Sequence, residues 1–432
     1  MGQLRGGTAR VVITPPRGIY LIGYGDRVKG NQGVHDDLLA TVLYLEDETT
    51  RLAWVTLDIL CLNESIVDQI QELVGPAVQV IISSSHTHSG PIGYADSSSP
   101  KKNQVYIRGL VKRIVNAIQS AQNEIAPIQL TWSAGRAQIA VNRRQKMPDG
   151  HIEIGINPQG PVDRSLQIVN ILDLNGTRLA TLVNFAAHGT VQGPKNLLVS
   201  ADWIGAMRTT LEKKLGGHVL FLQGATANLN PTHGWEPGAN SWMLMEKQGQ
   251  QVAEQALTAI EEQEPISTGQ LHLQKYVQWL PLDSKVYGSK PPTIYRKKVL
   301  AMGGLPVWLS FLTDFLLNQR YPWKSFLAAK DGYWSVPLRI NTLTCGDLAL
   351  ASFSAETFTE TGSAIKAASP YPFTIFTSIT DGCIGYLPTR AAHAEGGFEV
   401  ELSPYSYRYP APFAAGTEEI ALTAINQMLQ YK

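Results

Sequence analysis

One segment constrains this chain more than any other: Ser83-Ser84-Ser85-His86-Thr87-His88-Ser89-Gly90, directly after Val78-Gln79-Val80-Ile81-Ile82, which reads as a buried β-strand. Residues two apart on an extended chain face the same side, so His86 and His88 point together out of the sheet end. That is how a metal site or a proton shuttle is built. A Ser/Gly-rich strand end is also an ordinary turn, and a lone histidine is often simply hydrogen-bonded. Taken alone, the segment leaves both readings open.

The remaining pattern is an alternation of strands and helices. Strands are expected at 9–14, 41–45, 52–57, 78–82, 129–134, 165–173, 180–186, 218–222 and 374–377. Helices are expected at 64–73, 104–122, 201–215 and 242–263, with Ser200 or Asp202 capping the third. The fold class is therefore α/β (α+β mixed): largely parallel or mixed β-sheets flanked by helices, with sites at the strand ends. At 432 residues and 44% hydrophobic composition the chain can bury a continuous core, and residues 1–432 are read as one large catalytic domain. One stretch, about 282–333, breaks the rhythm with Pro, Gly, aromatic and basic residues around an apolar helix at 307–317. It reads as a hydrophobic lid over a substrate or as a satellite helix packed on the core.

Charge excludes several functions. Lys plus Arg and Asp plus Glu are 36 each, so there is no basic footprint for nucleic acid or an acidic membrane surface. Cys61, Cys345 and Cys383 are odd in number and lack CxxC spacing, which argues against a disulfide framework or a thiolate metal site. The first residues lack the apolar run of a signal peptide, and the most membrane-like segment, 299–317, carries Gly303, Gly304, Pro306 and Asp314. A cytoplasmic protein with no transmembrane segment is expected.

Two further segments repeat the strand-end design. Thr181-Leu182-Val183-Asn184-Phe185-Ala186-Ala187-His188-Gly189-Thr190 is again a hydrophobic strand ending in histidine, and two such parallel strands would bring His86 and His188 to one point. Three histidines on two strand ends favour a metal. The stretch from Leu348 to Thr357 reads as a strand ending in the carboxylate of Glu356, and Tyr386 comes after Asp381-Gly382-Cys383-Ile384-Gly385. In isolation Glu356 reads as an acid at a helix N-terminus and Tyr386 as a packing aromatic.

In order, these pieces resemble the catalytic domain of the neutral, non-lysosomal ceramidases. The matching residues are Gly23-Tyr24, Gly33-Val34-His35-Asp36, Val55 to Asp58, His86-Thr87-His88-Ser89-Gly90-Pro91, Asn142-Arg143, Val162-Asp163, Asn184 to Thr190, Asn196 to Asp202, Gln223 to Pro231, Ala355-Glu356 and Gly385 to Thr389. The resemblance implies one catalytic Zn²⁺ held by His86, His188, Glu356 and Tyr386. Two imidazoles, a carboxylate and a phenol are N/O ligands suited to zinc, and they leave a position open for water or a substrate oxygen. The implied reaction is attack of a metal-bound hydroxide on a linear amide, with ceramide as one candidate among N-acyl amides. His88 would carry a proton to the leaving amine, and Arg143, in a loop, would stabilise an oxyanion unless it forms a surface ion pair.

The chain departs from this pattern in two places. Asn228 and Asn230 stand where relatives carry aspartate and serine, so chemistry that needs the serine hydroxyl is excluded, while Asn230 can still donate to an oxyanion. No immunoglobulin-like C-terminal domain is expected, because the sequence stops at Lys432; the aromatic stretch at 404–410 is expected at a pocket rim or partner surface. Three functions are compatible with these residues: a zinc amidohydrolase acting on a small-molecule or lipid-like amide; a zinc hydrolase of the same fold acting on an ester, lactone or specialised-metabolite amide; or a non-catalytic binding protein retaining the fold. Presence of all four candidate ligands argues against the third. Substrate identity and oligomeric state are not written in these residues.

Overall fold

The computed structural model describes residues 3–25, 27, 29–97, 99–234, 241–286 and 326–430. Its largest sheet runs, edge to edge, through His218–Gln223, Arg178–Phe185, Ser165–Asp173, Ala126–Arg136, Arg5–Val12, Leu39–Glu46, Arg51–Leu57 and Gln79–Ser84, with the short strand Glu264–Pro265 attached to Ala126–Arg136. Most neighbours are antiparallel. Parallel pairing is confined to the two ends of this sheet, Arg51–Leu57 with Gln79–Ser84 and Arg178–Phe185 with His218–Gln223. A parallel pair needs a crossover, and helices α1 (Glu64–Val74) and α3 (Asp202–Leu215) supply them.

Local sequence explains these crossovers. Asn63 caps α1 by accepting from the Ser65 backbone N–H at 3.0 Å, and Ile66, Val67 and Ile70 give the helix a buried face. Gly75, at φ +88°, ends it. At α3 the cap position falls on Ala201, between the two expected capping residues; Ser200 Oγ accepts from the Asp202 N–H at 2.9 Å and the Asp202 carboxylate accepts from Trp203 N at 2.8 Å. Helix α2 (Lys101–Asn123) packs beside α1 over one half of the sheet, and α4 (Ser241–Glu261) packs beside α3 over the other.

The sheet curls until His218–Gln223 lies against Leu39–Glu46, Arg51–Leu57 and Gln79–Ser84. Leu43, Trp54, Ile81, Leu130, Trp132, Val169, Leu182 and Leu222 fill the interior so formed. A second sheet, ordered Leu271–Lys285, Tyr333–Cys345, Leu348–Phe353 and Phe373–Thr377, adds Leu343, Leu350 and Ile375 to the same core. Each such buried aliphatic contributes about 1.5–3 kcal/mol, so the two sheets are held as one body.

The expected fold class, mixed β-sheets flanked by helices, is the one observed, and within these mixed sheets antiparallel pairs outnumber parallel ones. Two expectations at 282–333 and 307–317 lie mostly or wholly outside the described residues; the strand Leu271–Lys285 runs into that stretch and Ala328–Lys330 leaves it. Among the described residues, no helix is long and apolar enough to cross a membrane.

Candidate metal centre

Curling of the large sheet brings its two ends together. Beyond Gln79–Ser84 and Arg178–Phe185 the chain continues as two loops joined by a parallel bridge between Thr87 and Gly189, and the His88 N–H donates to Gly189 O at 2.9 Å. His86 and His188 thus converge, as expected, although their strands are not hydrogen-bonded neighbours in the sheet. His86 also sits at φ +62°, a left-handed conformation that a non-glycine residue adopts only when its surroundings impose it. Its backbone N–H donates to Ile59 O at 3.0 Å, and Thr87 Oγ1 donates to Ser200 O at 2.8 Å.

Both rings are locked by backbone carbonyls. His86 Nδ1 donates to Leu60 O at 2.8 Å and His188 Nδ1 donates to Leu229 O at 2.8 Å. A carbonyl only accepts, so these bonds place the ring protons on Nδ1 and leave lone pairs on Nε2. Those two Nε2 atoms face Glu356 Oε2 at 3.3 and 3.4 Å. All three atoms are buried without a hydrogen-bond partner. Three acceptors pointed at one another repel unless a cation or proton sits among them. Burial lowers the His188 imidazole to about 4, which makes a proton a poor occupant at neutral pH. Burial opposes the charge of Glu356 as well, yet His86 and His188 hold its carboxyl well below the ordinary value. Chemistry of this donor set, two imidazoles and a carboxylate in a dry site, fits a divalent metal.

Glu356 and Tyr386 reach the site together. The strand Leu348–Phe353 stops before Glu356, and Glu356–Thr357 forms its own short parallel pair with Tyr386–Leu387, Glu356 opposite Tyr386. Glu356 is therefore a strand residue ahead of the helix Thr359–Ala368, rather than an acid in its first turn. Burial, with Glu356 adding to it, pushes the Tyr386 phenol well above its ordinary value, while Arg143 works the other way.

His88 completes a cluster in which one ring nitrogen from each of His86, His88 and His188 lies within 4.8 Å of the other two. Neither of its ring nitrogens has a hydrogen-bond partner, and burial, aided by the other two histidines, holds its imidazole well below the ordinary value. Tyr24 packs on the ring at 5.0 Å between centroids, and a Cβ at Gly23, whose φ is +106°, would lie 2.4 Å from Nδ1. Glycine is required there by both space and backbone.

Arg143 lies on the strand Ala140–Lys146 of a small three-stranded sheet, not in a loop, and is buried rather than part of a surface ion pair. Nε donates to Glu399 Oε1 at 2.9 Å, Nη1 to Asn230 Oδ1 at 3.4 Å, and the guanidinium lies 5.3 Å from the Tyr386 ring centroid. Its Nη2 is buried with no hydrogen-bond partner. Asn230 thus meets Arg143, whereas Asn228 is occupied at the helix Thr359–Ala368, accepting from Thr359 N at 3.0 Å and donating to Glu360 at 2.8 Å. Sequence reasoning missed Glu399, which sits on the π-turn Phe398–Leu402 and also binds Arg144 Nη1 at 2.8 Å. The 404–410 segment, expected at a pocket rim or a partner surface, reaches the centre itself, where Tyr407 donates to Glu356 Oε1 at 3.1 Å. No spacing signal marks either contact, since both partners come from far along the chain.

Comparison with known proteins adds a family. A model of the neutral/alkaline non-lysosomal ceramidase N-terminal region matches residues 6–228, more than half of the chain. The chain belongs to the neutral/alkaline non-lysosomal ceramidase family. Neutral ceramidase B of Dictyostelium discoideum is 26% identical over 226 residues, 46% of this chain and 30% of that protein. Neutral ceramidase of Pseudomonas aeruginosa is 25% identical over 244 residues, 51% of this chain and 35% of that protein. The aligned part of this ceramidase-family chain therefore spans about a third of the length of the curated relatives it matches. The crystal structure of the Pseudomonas aeruginosa neutral ceramidase superposes with a TM-score of 0.74 at 19% identity, covering 99% of this chain and 74% of that one, a likeness of fold.

Proposed function

We propose that this protein is a zinc-dependent hydrolase that cleaves a linear amide in a small-molecule or lipid-like N-acyl substrate, with ceramide, the substrate in its relatives' names, as the first candidate. One observation carries the reading: three buried acceptors, His86 Nε2, His188 Nε2 and Glu356 Oε2, converge without a protein donor among them. His86, His188 and Glu356 would hold the metal, with the Tyr386 phenol as a fourth ligand, an N/O set suited to Zn²⁺. Zinc bound there would supply a Lewis acid for the scissile carbonyl and a means of ionising water near neutral pH.

The surrounding side chains supply the remaining chemistry. His88, uncharged and without a hydrogen-bond partner at either ring nitrogen, takes up the proton released by the attacking water and delivers it to the nitrogen of the departing amine. Arg143 presents an unpartnered Nη2 toward the negative charge that develops on the carbonyl oxygen. Asn230 and Glu399 hold that guanidinium in place. Asn230 is thus assigned to aligning Arg143, since its Oδ1 is already engaged by that guanidinium.

The test is to measure bound zinc and to screen the purified protein, by mass spectrometry of products, against N-acyl amides including ceramides, cyclic amides and esters. Cleavage of linear amides that a chelator abolishes and zinc restores is expected. Protein without stoichiometric zinc, unchanged by His86→Ala, would overturn the reading.

A further inference from the structure

We infer that Tyr407 is the positioning residue that fixes Glu356 for the metal, an inference that rests on the metal reading above. A carboxylate turns easily about its last torsion, so nothing in Glu356 itself decides which oxygen faces the histidines. The two oxygens are nevertheless differentiated here. Oε2 lies 3.3 Å from His86 Nε2 and 3.4 Å from His188 Nε2, while Oε1 accepts from the Tyr407 hydroxyl at 3.1 Å. A donor on Oε1 holds the carboxylate plane and keeps Oε2 turned inward.

The fold in turn fixes Tyr407. Its ring presses on Gly385, where a Cβ would lie 2.8 Å from two ring carbons and where φ is +92°. It stacks on Tyr409, with centroids 6.0 Å apart and planes 23° apart, and Tyr409 donates to Ile384 O at 2.9 Å. The hydroxyl also touches the buried Cys383 thiol at 3.5 Å. A segment from the C-terminal part of the chain thereby clamps Cys383 to Gly385, the stretch leading into Tyr386, and with the same ring orients Glu356. Partners that orient a metal ligand in this way act on affinity through geometry rather than by adding a bond to the metal.

The experiment is the zinc dissociation constant of Tyr407→Phe, read by competition with a chromogenic chelator. This substitution removes one oxygen and keeps the ring. Loss of affinity of about 10- to 100-fold, with the melting temperature of the metal-free protein unchanged, is the expected result. Cys383→Ala, which spares the bond between hydroxyl and carboxylate, should bind zinc as the wild type does. Wild-type affinity in Tyr407→Phe would overturn this inference alone; an equal loss in Cys383→Ala would overturn it by assigning the effect to packing. A wild-type protein that takes up no zinc would overturn the metal reading first, and this inference with it.

Discussion

Replacing Glu399 tests the electrostatic frame of the site. Glu399 is 2% exposed and accepts from Arg143 Nε at 2.9 Å and Arg144 Nη1 at 2.8 Å. Removing one partner of a buried ion pair costs about 3–5 kcal/mol, because a charge is left without compensation in a dry site. Arg144 keeps Glu395 at 3.0 Å and Gly396 O at 2.9 Å, whereas Arg143 keeps the 3.4 Å contact to Asn230 and its place beside Tyr386, with no second carboxylate in an ion pair with it among the described residues. One uncompensated guanidinium, not two, places Glu399→Ala near the low end, about 3 kcal/mol. Glu399→Gln retains the shape and loses the charge assistance, about 1.5–3 kcal/mol. Urea unfolding followed by tryptophan fluorescence reads the difference from the midpoint, provided the slope is unchanged. Glu395→Ala is the control: its side chain is 54% exposed, so its loss should cost no more than about 1 kcal/mol. Indistinguishable midpoints for Glu399→Gln and wild type would refute the claim that this carboxylate holds Arg143.

Three other outcomes are expected. His188→Ala and Glu356→Ala should each abolish zinc uptake measured by mass spectrometry of metals; retained stoichiometric zinc in both would remove them as ligands. His88→Ala should keep zinc and lose turnover by about 10²–10⁴-fold, and Gly23→Ala, which drives a Cβ into His88 Nδ1, should change turnover in the same direction; loss of zinc in His88→Ala would make His88 a ligand instead. Metal-free protein should lose stability on acidification. Burial lowers His188 from 6.5 to about 4, so the unfolded chain binds the extra proton first and stability declines as pH falls from about 6.5 toward 4, by an amount on the order of 3 kcal/mol. Urea midpoints at pH 7 and pH 4.5 check the sign, and an identical pH dependence in His188→Ala and wild type across that window would remove this residue as its source.

Much of the frame was legible in the sequence because it is written in short-range patterns. The apolar run at 78–82 and the helical spacing at 104–122 correspond to the strand Gln79–Ser84 and helix α2, since each packs one continuous face against the core. The long pair Leu271–Lys285 and Tyr333–Cys345 was not legible, because its strands carry mixed faces and the stretch between them is long. At the site, the convergence of His86 and His188 was legible from the two strand ends, whereas Glu356 and Tyr386 were reached only by adding the ceramidase resemblance. Asn228 and Asn230 looked alike in sequence; pairing with Thr359 and Glu360 on one side and with Arg143 on the other separates them.

By itself the sequence determined the residue types and the strand ends that present them, because alternation and helical period depend on neighbours a few positions apart. Tertiary structure alone decided that the two ends of a curled sheet meet, so that histidines 102 positions apart turn their lone pairs on one carboxylate oxygen. It alone placed Glu399 behind Arg143 and Tyr407 behind Glu356, at sequence separations of 256 and 51. Such contacts are closed by the burial of the core rather than by any local preference, and no periodicity records them.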